Sequence, residues 1–231
     1  MAKTESDIIV LDSIPAMQRG LGKLIARKSA GSDEAIPFTL LDCHDGSISK
    51  AGQALIEAGG MLMLYGKDKA LTQPARRAGN FAADLEDGPV KHALRGTSPL
   101  RSLLVVGTGM FNREMIALVD DQGKTHARAE LSLLHPAGAG RGATLVALDR
   151  LRGYDKARAA LAAHLRGPDP ARHHAVADLE GMLFPGHQPY SPKPRTVITP
   201  DEPAYDAATD IIRAYLTVAR RNRAGIIADY D

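Results

Sequence analysis

Hydrophobic positions along this chain switch between a period of two and a period near four, and those switches mark its elements. Thr125, Ala127, Ala129 and Leu131 alternate with His126, Arg128, Glu130 and Ser132, the pattern of a strand over Thr125–Leu133 with one polar face. Leu100–Gly107, Met115–Asp120 and Ala143–Asp149 read as its partners, with turn chemistry at Asp121-Gln122-Gly123 and Gly138–Gly142. An antiparallel meander is therefore expected between Leu100 and Asp149.

Upstream, Ile8–Leu11 is a short apolar run. Ser13 followed by Pro15 predicts a helix over Ile14–Arg27, with Ile14, Met17, Leu21, Leu24 and Ile25 at helical spacing. Lys23, Arg27 and Lys28 then suit its C-terminal end. Gly31–Glu34 reads as a loop. Ile36–Leu41, Gln53–Glu57 and Met61–Tyr65 follow as strands, with a further strand expected over Asn80–Leu85. Asp45-Gly46 ends the first run, Ser47–Ala54 has helix-compatible spacing, and Gly59-Gly60 suits a two-residue hairpin. Asp87-Gly88 precedes a short helix, Pro89–Leu94.

Downstream, helices are predicted over Tyr154–Arg166, stopped by Gly167-Pro168, and over Pro170–Leu183. His187–Pro203 is a proline-rich connector. Tyr205–Arg223 is amphipathic, with Ala208, Ile211, Ile212, Tyr215, Leu216 and Ala219 in one stripe. The fold class expected is α+β, dominated by an antiparallel β-barrel or strongly curved sheet. Ile14–Arg27 and Tyr154–Arg166 are its expected flanking helices.

The chain's 231 residues, 44% hydrophobic and 24% charged, suffice for one sizeable domain and an appendage. No apolar run approaches the ~20 residues that span a bilayer, and the N-terminus does not read as a signal peptide. The single cysteine, Cys43, excludes an intrachain disulfide and a cysteine-rich zinc site. A cytoplasmic protein without a membrane partner is expected. A net charge of +2, 4% aromatic residues and no Trp argue against a specific nucleic-acid partner. His173 and His174 are adjacent, so on a helix they diverge by ~100° and do not converge on a metal. No Walker A loop, nucleophile elbow, zincin helix or Rossmann fingerprint is present.

The order of LDCHDG, SISKAGQAL, GGMLMLYGK, DGPVKHAL, SPLRSLLVVGTGMFNREMIALVDDQGKTHARAEL and LVALDRLRGYDKARAALAAHL resembles the CYTH domain, the family of triphosphate tunnel enzymes. The resemblance runs from about Ile8 to Lys193. It implies a tunnel whose walls carry Lys and Arg for phosphate oxygens and Asp or Glu for Mg²⁺ or Mn²⁺. Many of those charges are replaced here. SDIIVLD stands where the family has E-x-E-x-K, Ile56 and Ala58 where it has two arginines, about Tyr65 where it has lysine, and Met110 where it has arginine. Its late acidic pair falls on Ala147 and Asp149, and its terminal serine–lysine pair resembles Ser191 and Lys193.

The resemblance carries over Lys193 as a phosphate ligand and Asp149 as a metal ligand. Arg113 and Arg128 for phosphate, and Glu130 for metal, are candidates by strand alternation alone. The competing reading makes Arg128 and Glu130 solvent-facing, Asp149 a helix cap and Lys193 an exposed linker residue. AYDAATDIIRAYLTVARRNRAGIIADYD resembles the opening helix of a CHAD domain, a helical module associated with polyphosphate. The expected organisation is a CYTH-like domain over 1–195, a linker over 196–203, and the first helix of a truncated CHAD-like domain over 204–231.

The resulting expectation is a catalytically degenerate module of a CYTH–CHAD type protein, binding phosphate or polyphosphate or scaffolding a partner. The alternative is an active, Mg²⁺- or Mn²⁺-dependent inorganic triphosphatase. A purely structural, partner-binding domain is the third class.

Overall fold

The computed structural model describes residues 8–12, 20–30, 34–138, 140–169, 173–187, 194 and 196–228. Its strands are β1 (Ile8–Leu11), β2 (Gly20–Leu21), β3 (Leu24–Ala30), β4 (Ile36–Cys43), β5 (Ala54–Ala58) and β6 (Met61–Tyr65). They continue as β7 (Ala70–Pro74), β8 (Leu103–Val119), β9 (Thr125–Pro136), β10 (Ala143–Leu148) and β11 (His173–His174). The helices are α1 (Ser47–Lys50), α2 (Pro89–Ala93), α3 (Asp155–Arg166), α4 (Leu179–Leu183) and α5 (Ala204–Ala228).

The chain divides into two compact units, Met1–His187 and Gln188–Asp231. The first holds one sheet in the order β11-β1-β10-β9-β8-β4-β5-β6-β7, with β3 pairing a second stretch of β8 and β2 pairing β3. Every strand pairing in it is antiparallel. The sheet curls strongly into a half-barrel flanked by a few helices, as the alternation predicts.

Three apolar clusters follow from the period-two pattern. Alternate residues of seven strands, among them Val10, Phe38, Ile56, Met63, Phe111, Leu134 and Leu145, fill the concave side with Leu179 and Leu183 of α4. On the convex side, Leu161, Ala162 and Leu165 of α3 cover Ile9, Leu118, Ala129 and Val146. Val90 of α2 and Leu94 cover Leu41, Leu55 and Leu64. The buried Asp42 is satisfied by the amides of Cys43, Ile48 and Ser49 at 2.6, 2.8 and 2.9 Å, which anchors α1 to β4.

Four expectations need correction. The segment assigned to helix Ile14–Arg27 contains a hairpin, Leu21 pairing Leu24, while residues 13–19 lie outside the described residues. Gly22, at φ 65°, supplies the positive φ at the first loop position that the II′ turn needs. Leu100–Gly107 and Met115–Asp120 are not two strands. Their greater parts, from Leu103 and up to Val119, belong to one 17-residue strand, β8. Gly107 is not a break: a Cβ there would lie 2.3 Å from the Phe184 ring, so it admits the segment after α4.

Asn80–Leu85 forms a 3-10 turn over Ala82–Asp84, closed by the Asp84 carboxylate accepting from Phe81 N at 3.0 Å. Pro170–Leu183 is not one helix: β11 pairs with β1, a 3-10 turn spans Val176–Asp178, and only α4 is helical. Residues 170–172 lie outside the described residues.

The second unit holds α5, whose Ile212, Tyr215 and Leu216 are each about half exposed. Among the described residues, no helix is long and apolar enough to cross a membrane.

Candidate functional site

The pairing registers arrange the concave face in rows that run across the strands. One row joins Arg113, Ser132, Leu145, Val10 and His174. The next holds Met115, Glu130, Ala147 and Ile8. The row after that holds Arg27, Ala117 and Arg128, and Asp149 N donates to Arg128 O at 3.0 Å at its far side. Arg113, Arg128, Glu130 and Asp149 thus share one face toward one mouth of the half-barrel. Lys193, like Ser191, lies outside the described residues.

The four are tied in two pairs. Arg113 Nε is 3.1 Å from Glu130 Oε1, although its N–H is not aimed at that oxygen, so the contact is chiefly one of charge. The same guanidinium reaches inward, with Nη2 3.0 Å from Met63 Sδ and its centre 5.6 Å from the Phe111 ring. Arg128 Nη1 and Asp149 Oδ2 are 3.8 Å apart and both nearly half exposed. That is a loose surface pair, worth about 0–1 kcal/mol.

Arg27 joins them. It sits opposite Ala117, which in turn sits opposite Arg128, so two arginines flank a small residue on neighbouring strands. Arg27 is exposed and forms no ion pair with any described residue. A helix over Ile14–Arg27 hides this placement. The closely spaced Gly20 and Gly22 are the sequence signal that would have exposed it.

Inward of these charges the concave face is sealed. Tyr65 Oη lies 2.8 Å from Ser132 Oγ, and burial pushes the phenol up to about 12, so Tyr65 stays neutral. Ile56 and Ala58, at two positions where the CYTH pattern has arginine, are 0% and 5% exposed. Ile8 and Val10 belong to the same apolar filling. Met110 has the opposite alternation to Arg113 and lies on the convex side.

Mg²⁺ or Mn²⁺ would require carboxylate oxygens free to complete an oxygen shell. Glu130 and Asp149 each face an arginine instead. No group of three or more His, Cys, Asp or Glu side chains among the described residues is arranged to hold a metal. The residues present do not fit either ion. What the mouth offers is a set of guanidinium groups for anionic oxygens.

No protein-family model matches the chain, and no curated protein matches it.

Proposed function

We propose that the chain is a catalytically degenerate CYTH-like module of a CYTH–CHAD type protein, binding phosphate or polyphosphate at the arginine-bearing mouth of its concave face. The observation that carries this reading is the pairing of Arg27 and Arg128 across Ala117, outward of an aliphatic filling. Two guanidinium groups flanking a small residue leave room for a phosphate chain, and Arg113 stands two rows further in along β8, beyond Met115. Loss of catalysis follows from the metal argument: the carboxylates are held by arginines and the interior is apolar.

By resemblance to the family's terminal lysine, Lys193 would be a phosphate ligand, and α5 would begin the CHAD-like part. The competing reading, a metal-dependent inorganic triphosphatase, draws on Glu130 and Asp149 sharing a face. It requires both to leave their arginines. A scaffold without a phosphate ligand is the remaining outcome.

Calorimetric titration of the full chain with tripolyphosphate, free of divalent metal, tests the binding reading. Saturable binding that weakens about tenfold in Arg128→Ala supports it, since a charge-assisted contact is worth about 1.5–3 kcal/mol. No binding, or no effect of Arg128→Ala, removes the site.

A further inference from the structure

A second polar mouth lies away from the Arg27–Arg128 row, where β1, β11 and α4 meet. It is an open cleft of about 690 Å³, lined by Asp12, Arg141, His174, Asp178, Met182 and Pro185 among others. That volume is in the range of small-molecule sites, roughly 300–1,000 Å³. Val10 pairs with His174, and Asp12 lies two residues beyond Val10, so alternation puts both polar side chains on the concave face. The buried belt of Val10, Leu145 and Leu134 continues inward from them.

Backbone contacts fix one wall of the cleft. Arg141 N donates to Met182 O at 3.2 Å, and a Cβ on Gly140 would lie 1.7 Å from Leu183 O. The arginine's backbone is therefore pressed against α4. Asp178 Oδ2 accepts from Ala175 N at 2.8 Å, and Asp12 Oδ1 lies 2.8 Å from His174 Nε2. Asp12 Oδ2 and Asp178 Oδ1 make no hydrogen bond with any described residue, and the Arg141 guanidinium forms no ion pair with any.

This charge pattern narrows the ligand. Two ionised carboxylates against one guanidinium and one imidazole carry no net positive charge, so a bare anion is disfavoured. A bare cation meets the guanidinium. The donors are not arranged for a metal ion among the described residues. A ligand with both signs meets all of them, its carboxylate on Arg141 and its ammonium on the spare oxygens of Asp12 and Asp178. Met182 and Pro185 add apolar contact.

From this we infer that the cleft binds a small zwitterion with ammonium and carboxylate on one molecule, either a free amino acid or a short peptide. The site is independent of the phosphate reading.

Backbone-amide NMR titration of the full chain with L-leucine, L-leucyl-L-leucine, 4-methylpentanoate and 3-methylbutylamine tests it. At least one zwitterion should shift the amides of Arg141, Ala175 and Met182 saturably and bind about tenfold or more tighter than either singly charged analogue. Tighter binding of leucine identifies a free amino acid, and tighter binding of the dipeptide identifies peptide ends. Arg141→Gln and Asp12→Asn should each weaken that binding by about tenfold, while Lys156→Gln on α3 leaves it unchanged. The unchanged spectrum of each variant away from the cleft verifies folding. Failure of both zwitterions at millimolar concentration, equal binding of a singly charged analogue, or indifference to Arg141→Gln would overturn the assignment.

Discussion

Tyr65 on β6 and Ser132 on β9 meet across the concave face, Oη to Oγ at 2.8 Å, although 67 positions separate them in sequence. In the sheet, β5, β4 and β8 stand between their strands. Only a strongly curled sheet brings two such side chains together. The contact closes the interior where a phosphate tunnel would need to stay open and charged. Arg113 crosses the same gap to Met63, so the curl both seals the middle and gathers the remaining charges near one mouth.

Removing the phenol tests that closure. Tyr65→Phe leaves the nearly buried Ser132 without its partner, and should cost about 1–3 kcal/mol in denaturant unfolding. A change below a few tenths of a kcal/mol would mean that the contact does not hold the curl.

The same residue sets a pH signature. Its folded pKa, about 12, lies above the ordinary 10.0, so its contribution is fully present below pH 10. It is lost as pH rises toward 12, because the unfolded chain gives up the proton first. The loss should reach roughly 2–3 kcal/mol. The difference between the unfolding curves of the protein and Tyr65→Phe should shrink across that window. A constant difference would contradict the buried, neutral phenol.

Gly107 ties the segment after α4 to the sheet. Gly107→Ala places its methyl against Phe184 and should destabilise by about 1–3 kcal/mol, the usual cost of overpacking. Phe184→Leu in the same chain should recover part of that loss. Additive losses in the double variant would show that Phe184 does not occupy the space above Gly107.

Leu145, fully buried in the concave cluster, should cost about 2–5 kcal/mol on Leu145→Ala. A cost below 1 kcal/mol would indicate that this face is solvated rather than filled. The filled interior would then be wrong.

Much of this fold is legible locally. The alternation of Thr125–Leu133 gives β9 and its faces, and Asp121-Gln122-Gly123 and Gly59-Gly60 mark their turns because turn chemistry is short-range. Alternation also puts Arg128 and Glu130 on one face. What is not legible depends on partners distant in sequence. Leu21, Leu24 and Ile25 fit a helical spacing as well as a hairpin, and the pairing of β3 with β8 decides between them. The strand expected to end at Gly107 runs on through it, with Phe184 packed above that glycine. The pairing of β11 with β1 displaces the helix that Pro170–Leu183 suggests. Arg27 enters the site only through such a pairing, and the Asp12–Arg141–His174 cleft joins three stretches with no common motif.

Phosphate release from tripolyphosphate by the purified chain, with Mg²⁺ and separately with Mn²⁺, tests the central claim most directly. The account predicts no release above the protein-free background, under conditions where the same chain binds tripolyphosphate and Arg128→Ala binds it more weakly. Metal-dependent turnover at ordinary enzyme rates, on the order of 1–10³ s⁻¹, abolished by Glu130→Gln or Asp149→Asn, would contradict it.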